Sequence, residues 1–466
     1  MSLNRRAVAL LTFSLLSLPG CATLPDTSAL IEHHAGQAAR FENARGPLSV
    51  QRNAAVLAKL KQRSGDIDIL EKQIALEQSI SDSPLVLGNK VTLLQDGKET
   101  YAAMFAAIAQ ARDHINLESY IIEDDAIGRQ FAELLLSSQA RGIQVNVIYD
   151  SVGGFNTPKA YFEHLREGGI AVLEFNPVNP LNARTPWLLN NRDHRKILVV
   201  DGHTAFIGGI NISSVYASGS LLGPRGKAAP KPTDKNPIVW RDTDLQIEGP
   251  VVAELQKLFM STWERQRGKA LAARDYFPEL KAQGSDIVRS IGSSYDDPFS
   301  LMYLTLISAI GNAEKQVYLT HAYFVPDAQL LQALTDAAAR GVDVRLILPS
   351  QSDSNLVFNA GRSHYSRLLE AGVKLYERKG ALLHAKTAVI DGVWSTVGSS
   401  NLDWRSSLDN DEINAVVLGR DFAQKMLTMF TADLQASQAI DLPTWQRRPL
   451  TNRLKEWLAQ LLGRFL

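Results

Sequence analysis

The sequence predicts an α/β protein that consists of two duplicated α/β/α sandwich domains. From residue 85 onward, strand-like apolar runs alternate with segments of helical periodicity, which is typical of a largely parallel sheet covered on both faces. The same order of segments returns later in the chain, because ARGIQVNVIYDS (140–151) matches ARGVDVRLILPS (339–350). A repeat of this length indicates a domain duplication and not a short-period solenoid.

The elements of the first repeat follow from their residue patterns in chain order. Apolar runs bounded by turn residues predict strands at KVTLLQDG, HINLESYII and IQVNVIYDS. Between them, apolar residues at helical spacing predict helices at KETYAAMFAAIAQARD and AIGRQFAELLLSSQARG. Two further pairs of segments, each 203 residues apart (372 − 169), support the duplication: HLREGGIAVLEF with RLLEAGVKLYER, and ESYIIEDD from Glu118 with HAYFVPDA from His321.

These patterns divide the chain into six segments. In order they are a signal peptide, a helical spacer, a first domain, a linker, a second domain and an amphipathic C-terminal helix, with bounds at 1–20, 21–84, 85–265, 266–295, 296–440 and 441–466. The linker is polar, contains glycine and lacks clear strand periodicity. We therefore expect the two domains to be joined by irregular chain.

A short charged motif occurs once in each repeat. The first copy, HRKILVVD, contains His194, Lys196 and Asp201; the second, HAKTAVID, contains His384, Lys386 and Asp391. Both copies have the form HxKxxxxD, and their histidines are 190 residues apart (384 − 194). A single copy is best explained as a capped core strand, whereas two copies at the same point of a repeated unit favour a reaction centre.

The spacing of the motif has a physical consequence. Residues i and i+2 of a strand point to the same face, so each histidine projects together with its lysine. Each motif continues into a glycine turn and an asparagine, Asn211 or Asn401, whose amide donates hydrogen bonds as lysine does to a phosphate oxygen. Two such sets at one interface would allow one imidazole to attack phosphorus while the other protonates the leaving oxygen.

The chain resembles the phospholipase D superfamily, and within it the bacterial cardiolipin synthases. The resemblance covers about residues 85–440 and rests on both HxKxxxxD motifs, both Gly/Asn continuations and the segment SSNLDWRSSLDNDE. It implies two phospholipase D-like domains with the active site at their pseudo-twofold interface. It also implies a covalent phosphohistidine intermediate, formed without a metal or another cofactor.

The resemblance assigns roles to individual residues. It makes His194 the nucleophile and His384 the general acid and then the base. It places a carboxylate on each catalytic imidazole, for which Glu412 and Asp242 are the candidates. The groups expected to hold the phosphoryl oxygens or to support the site are Lys196, Lys386, Asn211, Asn401 and Ser399. Gly209 stands where the superfamily often has serine, and Asp201 and Asp391 are expected to brace the motif.

Other titratable residues are weaker candidates. Glu118 and His321 occupy matching positions of the aligned repeats at predicted strand ends, which makes them candidates for substrate contact. The remaining histidines lack metal-ligand spacing and are interpreted as surface or structural residues. No metal site is therefore expected.

The N-terminus predicts a lipid anchor. A basic start, MSLNRR, precedes the apolar run AVALLTFSLLSL and then LPGC, whose Cys21 is the only cysteine of the chain. Leu18, Gly20 and Cys21 resemble the bacterial lipobox, although a signal peptide with an incidental cysteine is the alternative. The protein is accordingly expected in the bacterial cell envelope, facing the periplasm, with the outer membrane slightly favoured because Ala22 follows the cysteine.

Two further segments bear on membranes. The C-terminal LTNRLKEWLAQLLGRFL has its large apolar residues on one helical face, which fits either a helix packed on the domain or an interfacial helix. The Gly/Pro/Lys-rich segment after Asn211 predicts a long loop, either an idle insertion or a basic flap beside the cleft, with Arg225, Lys227, Lys231 and Lys235.

The motifs indicate phosphodiester chemistry and leave the substrate open. The chain has 49 basic and 49 acidic residues, and no basic stripe interleaved with aromatics indicates nucleic acid. A lipid anchor, an apolar C-terminal face and neutral charge favour a phospholipid at a membrane surface over nucleic acid. The resemblance to cardiolipin synthases implies phosphatidylglycerol as the substrate, with phosphatidylethanolamine as the second candidate. The resemblance implies cardiolipin synthesis as the reaction; the alternatives are hydrolysis to phosphatidic acid, a nuclease, and a non-catalytic tether.

Overall fold

The computed structural model describes residues 26, 39–65, 69–81, 83–183, 188–217, 239–297 and 299–465. Three features predicted above lie outside these residues. They are the signal peptide, the lipidation site Cys21 and the four basic residues of the loop after Asn211.

Twenty strands occur in the described chain. In the first half they are β1 (Phe41–Asn43), β2 (Gly46–Pro47), β3 (Leu85–Gln95), β4 (His114–Ser119), β5 (Gln144–Asp150), β6 (Ala171–Phe175), β7 (Arg192–Asp193), β8 (Lys196–Val200), β9 (Thr204–Gly208), β10 (Trp240–Arg241) and β11 (Thr243–Glu248). In the second half they are β12 (Asp286–Ser293), β13 (Gln316–His321), β14 (Asp343–Pro349), β15 (Lys374–Arg378), β16 (Leu382–Leu383), β17 (Lys386–Ile390), β18 (Trp394–Gly398), β19 (Asn410–Leu418) and β20 (Ser437–Ile440).

Fourteen α-helices accompany these strands in the described chain. In chain order they are α1 (Val50–Ser64), α2 (Ile69–Ile80), α3 (Asp96–Gln110), α4 (Ala126–Ala140), α5 (Lys159–Glu167), α6 (Val252–Arg265), α7 (Leu301–Gly311), α8 (Ala328–Ala339), α9 (Asn355–Arg362), α10 (Tyr365–Glu370), α11 (Trp404–Leu408), α12 (Arg420–Gln435), α13 (Leu442–Gln446) and α14 (Leu450–Leu461). None of them is long and apolar enough to cross a membrane.

Both halves of the chain build the same seven-stranded arrangement. The first has the order β6-β5-β4-β8-β9-β11-β3, and the second has β15-β14-β13-β17-β18-β19-β12. The predicted α/β fold of two duplicated units is therefore confirmed. Strands β3 and β12 then pair antiparallel, which joins the two halves into one continuous sheet.

The expectation of a largely parallel sheet was wrong. Within each seven-stranded set only the three strands at the outer end run parallel, and every later pairing is antiparallel. The reason lies in the connections. Parallel neighbours need a long crossover, whereas β8 and β9 are joined by a short turn at Asp201 and Gly202, both with positive φ.

The stretch 266–295, interpreted from the sequence as a linker, contains the eight-residue strand β12. Its sequence DIVRSIGS hides the strand because polar residues occupy buried positions. Arg289 is fully buried and lies 3.4 Å from the carboxylate of Glu77 in α2. A buried ion pair contributed by a distant helix cannot be read from local periodicity.

The segment predicted as a helical spacer packs on the second half. Helices α1 and α2 are preceded by β1 and β2, and β1 pairs with β3. Phe41, Leu60, Ile69 and Ile74 belong to the same apolar core as the helices of the second half. A separate core contains residues of both halves, including Ile197 and Val389 from the two motif strands, and closes the interface between the repeats.

Candidate active site

The two motif strands are fully buried β-strands of equivalent position. β8 begins at Lys196 and β17 at Lys386, and every residue of both strands is buried. Asp201 and Asp391 follow these strands with φ of 53° and 52°. Each accepts hydrogen bonds from three consecutive backbone N–H groups: those of residues 112–114 for Asp201 and of residues 314–316 for Asp391. These aspartates brace the turn at the end of the strand opposite to the histidines.

The first residue of each motif is hydrogen-bonded to the backbone of the other repeat. The N–H of His194 donates to the carbonyl of Asp411 at 2.9 Å, and the N–H of His384 donates to the carbonyl of Arg241 at 2.8 Å. The short parallel pairings β7–β19 and β10–β16 extend these contacts. The next residues in the chain, Glu412 after Asp411 and Asp242 after Arg241, are the two candidate carboxylates. The exchange of short strands therefore brings each histidine to the acid of the other repeat.

The carboxylates contact the histidines directly. Nδ1 of His194 lies 3.0 and 3.1 Å from the two oxygens of Glu412, and Nδ1 of His384 lies 2.6 Å from Oδ2 of Asp242. All four side chains are buried. Because the carboxylate engages Nδ1, any contact of the ring with a substrate would be made by the other nitrogen, Nε2, as in other His–carboxylate pairs.

The two carboxylates have different surroundings. The hydroxyl of Ser399 donates to Glu412, and that of Ser406 donates to it at 2.7 Å. On the other side the N–H of Thr243 donates to Asp242 at 2.8 Å. Gly209 replaces the serine there, and a Cβ at this glycine would lie only 2.2 Å from Oδ1 of Asp242. Asp242 therefore occupies the space that a serine would need.

The lysines lie against their own histidines. Nζ of Lys196 donates to the carbonyl of His194 at 2.5 Å. Nζ of Lys386 lies 2.9 Å from Nδ1 of His384 and also donates to the carbonyl of the same residue. The i and i+2 positions thus share a face, as the strand geometry requires.

Burial lowers the pKa values of both histidines. It lowers the pKa of His194 to about 4, with Lys196 acting in the same direction and Glu412 opposing. Burial and Lys386 likewise lower the pKa of His384, against the effect of Asp242. The charge of Lys386 also acts on His194, and that of Lys196 on His384. The two half-sites therefore share one electrostatic environment, which disfavours the protonated form of both imidazoles.

The pKa values of the other charged groups of the site are shifted as well. Burial lowers the pKa of Lys196 to about 7, and it lowers that of Lys386 too. Burial alone would raise the pKa of Glu412, but His194, Lys196 and Ser399 together hold it at about 2. Glu412 is thus a permanent anion beside His194. An incoming phosphodiester would add negative charge and favour protonation of the lysines and of one imidazole.

The asparagines differ between the halves. The side chain of Asn211 is engaged, since its oxygen accepts from the N–H of Ile121 and its amide donates to the hydroxyl of Tyr216 at 2.9 Å. Within the described chain, Oδ1 of Asn401 has no hydrogen-bond partner. Asn401 lines a cavity of about 20 Å³ together with Lys386 and His321. In the described part of the second half-site, the side-chain oxygen of Asn401 is thus an acceptor without a hydrogen-bond donor, beside Lys386.

The alignment of Glu118 with His321 is off by one residue. Ser119 lies opposite Lys196 in the sheet, just as His321 lies opposite Lys386. The structural counterpart of His321 is therefore Ser119, and Glu118 points to the other face, where Arg195 lies 3.9 Å away and Thr262 donates to it at 3.2 Å. The sequence comparison misplaced the register because a one-residue difference in the helix–strand connection is invisible in short apolar matches.

Aromatic rings around the histidines were missed from the sequence. Tyr120 lies 5.2 Å from the ring of His194, and Trp240, Tyr216 and Tyr323 lie 5.1, 5.8 and 6.0 Å from that of His384. The positions of Tyr120 and Tyr323 just after β4 and β13 were the available signal, since such strand ends carry site residues in α/β folds.

Comparisons with known proteins identify the family of the chain. The family model described as "Cardiolipin synthase, PLD-like domain" matches residues 104–218 and 306–434. A cardiolipin synthase of Geobacillus sp. (strain WCH70) is 36% identical over 398 residues, covering 84% of this chain and 76% of the relative. Cardiolipin synthase A of Pseudomonas putida (strain W619) is 36% identical over 364 residues, 77% of this chain and 71% of the relative.

A solved structure shares the fold. The crystal structure of phosphatidylserine synthase from Haemophilus influenzae Rd KW20 aligns with a TM-score of 0.57 at 14% identity, covering 81% of this chain and 95% of that one. The resemblance inferred from the two HxKxxxxD motifs is thus confirmed. The chain belongs to the cardiolipin synthase, phospholipase D (PLD)-like domain family.

Proposed function

We propose that the protein is a phosphatidyltransferase that converts two molecules of phosphatidylglycerol into cardiolipin and glycerol. One observation carries the proposal: two buried imidazoles each lie within hydrogen-bonding distance of a carboxylate of the other repeat, and each has a lysine of its own motif beside it. The names of the two relatives reported above, both cardiolipin synthases, support the choice of product.

In the first step, Nε2 of His194 attacks the phosphorus of one phosphatidylglycerol. The N–P bond forms while the bond from phosphorus to the glycerol headgroup oxygen breaks. His384, protonated as the anionic substrate arrives, gives its Nε2 proton to that oxygen, and glycerol leaves. Glu412 stabilises the positive charge that develops on the attacking ring.

In the second step, the hydroxyl of a second phosphatidylglycerol attacks phosphorus. His384, now neutral, takes the hydroxyl proton; the new P–O bond forms and the N–P bond to His194 breaks, which releases cardiolipin. Lys196 and Lys386 hold the non-bridging oxygens in both steps, and the side-chain amide N–H of Asn401 donates a further hydrogen bond to them. Water in place of the second hydroxyl would give phosphatidic acid.

The product assay uses the purified protein in mixed micelles with phosphatidylglycerol, followed by lipid mass spectrometry. Cardiolipin and glycerol are expected, and His194→Ala abolishes both, whereas His164→Ala, at an exposed histidine, leaves them unchanged. Phosphatidic acid as the only product would make the protein a hydrolase. Cleavage of DNA without any lipid product would overturn the phospholipid assignment.

The assignment of the two histidines has its own test. A phosphatidyl ester of p-nitrophenol needs no acid to expel its leaving group. His384→Ala should therefore release one equivalent of p-nitrophenolate and then stall with the phosphatidyl group on His194, because the base for the second step is missing. A burst from His194→Ala instead would reverse the two roles.

We further propose that the protein is held in the bacterial cell envelope by lipid attached to Cys21, after removal of residues 1–20, and faces the periplasm, with the outer membrane favoured. The basic and apolar N-terminal pattern supports this proposal, and phosphatidylethanolamine remains the second substrate to test. Labelling with radioactive palmitate should mark the wild type and not Cys21→Ser. Equal labelling of both would refute the anchor.

A further inference from the structure

Helix α14 has the reverse of the usual amphipathic arrangement. Its large apolar side chains point outward, with exposed fractions from 46% to 77% for Leu450, Leu454, Trp457, Leu458, Leu461 and the adjoining Leu462. These residues recur at the spacing of one helical face, which we call the α14 apolar face. A helix that is merely packed on a domain buries such a face.

The inward face of α14 is small and polar. Glu456 and Ala459 are its buried residues. Glu456 lies 2.7 Å from Arg448 and 3.7 Å from Arg362 of α9, and Ala459 packs with Val325 and Ala360. An ion pair and a close helix contact therefore fix the rotation of α14, so that the apolar face is held away from the protein.

The surroundings of the α14 apolar face are basic. Between residues 447 and 464 the chain has five basic residues and a single acid, the buried and ion-paired Glu456. Arg453 and Lys455 are exposed on the helix itself. An apolar stripe flanked by arginine and lysine is complementary to a bilayer with anionic headgroups, where each cation near the surface adds attraction.

Helix α14 adjoins the active site through its inward face and through the residues that follow it. The chain after α14 reaches α11, where the guanidinium of Arg464 lies 5.7 Å from the ring of Trp404. The same short helix supplies Ser406, which hydrogen-bonds to Glu412. Val325, against which α14 packs, donates its N–H to the carbonyl of Leu402, next to Asn401.

A second exposed apolar group adjoins α11 from the first repeat. Leu188 and Leu189 are 37% and 45% exposed and immediately precede the chain that enters β7 and His194. Arg405 of α11 donates to the carbonyl of Asn190 in this segment. The segment with Leu188 and Leu189 and the residues that follow α14 thus both contact α11, the helix that supplies Ser406 to the site.

We propose that the α14 apolar face is a docking surface for an anionic lipid bilayer, into whose headgroup region it inserts so that the active site faces the membrane. The proposal rests on the phospholipid substrate proposed above and adds the surface through which the enzyme reaches it. Its occupant is a lipid surface and not a second copy of the chain, because the basic residues that flank the apolar face would repel those of an identical copy.

The first experiment measures whether α14 itself inserts into a lipid bilayer. The full-length protein with Cys21→Ser and Leu458→Cys carries one environment-sensitive fluorophore on the α14 apolar face. Vesicles of equal parts phosphatidylglycerol and phosphatidylcholine should shift its emission to the blue and expose it to lipid-borne quenchers, with a much smaller shift on pure phosphatidylcholine. The same label at Val50→Cys, 79% exposed on α1, is the matched control and should not respond.

Two outcomes of the labelling experiment would overturn the proposal. The first is no difference between the labels at positions 458 and 50 on anionic vesicles. The second is a blue shift that depends on protein concentration in the absence of vesicles, which would make the face a contact between two copies.

The second experiment separates docking from catalysis. Leu454→Gln, Trp457→Gln and Leu458→Gln are combined, and cardiolipin formation is measured on vesicles and on short-chain phosphatidylglycerol below its micelle concentration. We expect activity on vesicles to fall at least about tenfold, the loss of one leucine-sized anchor, and activity on the monomeric substrate to be unchanged. Val50→Gln with Phe277→Gln, both exposed elsewhere, is the control with full activity on both substrates.

Equal activity of the triple variant and the wild type on vesicles, or an equal loss on both substrates, would overturn the docking surface, which acts only at a bilayer. Failure of the proposed function has a different signature. In that case the wild-type protein makes no cardiolipin from either substrate while the fluorophore at position 458 still inserts.

Discussion

Glu412→Gln tests the central electrostatic element of the site. The substitution preserves shape and an acceptor oxygen for Nδ1 of His194 but removes the negative charge. Because Glu412 belongs to the second repeat and His194 to the first, the variant also tests whether the repeats complete each other's chemistry. The hydroxyls of Ser399 and Ser406, which donate to Glu412, can rotate to suit the amide.

The expected loss of rate follows from the distance between Glu412 and the ring of His194. A unit positive charge on the ring of His194, 3.0 Å from an oxygen of Glu412, gains about 5.5 kcal/mol at an effective dielectric constant of about 20. The amide dipole retains part of this. A net loss of about 4–5 kcal/mol corresponds to a rate lower by roughly 1,000- to 5,000-fold at 1.36 kcal/mol per tenfold.

The assay is single-turnover formation of the phosphatidyl-enzyme from the p-nitrophenyl ester, which isolates the attack by His194. Circular dichroism and thermal unfolding check that the variant is folded. Asp242→Asn is the matched control: it alters the partner of His384 and should leave this burst nearly intact while slowing turnover of phosphatidylglycerol. A loss below tenfold for a folded Glu412→Gln, or an equal loss of burst in Asp242→Asn, would refute the reasoning.

Three further changes have defined outcomes. Gly209→Ser restores a serine common in the superfamily, yet it should lower kcat by about 100-fold, because the new Cβ displaces Asp242; an unchanged kcat would contradict the steric account. Burial, then Lys386, lowers the pKa of His321 to about 3, below the unfolded value of about 6.5, so the folded protein loses stability as the pH falls through this window. Between pH 6.5 and 4.5, the free energy of unfolding of the wild type should therefore fall by about 2–3 kcal/mol more than that of His321→Gln, as measured by urea unfolding. An equally steep fall in the variant would refute this cause. Asp391→Ala deprives three backbone N–H groups of their acceptor at a positive φ and should lower the free energy of unfolding by about 3 kcal/mol or more; thermal unfolding close to that of the wild type would argue against the bracing role.

The sequence by itself determined the duplication and the motif residues. Repeated apolar patterns identify repeated units, and the period of two along a strand makes each histidine and its lysine share a face. These are local properties of the chain. The same local rules explain why the sequence alone identifies the lysines, both motif histidines and the bracing aspartates.

Only the tertiary structure decided which groups meet. His194 and Glu412 are 218 residues apart and approach because short strands are exchanged between the repeats, a non-local pairing that no periodicity encodes. The one-residue register that separates Glu118 from His321 depends on sheet pairing, and the antiparallel course of β8 and β9 depends on a turn. For α14 the helical period identified an apolar stripe, but the ion pair of Glu456 determines that the stripe faces outward.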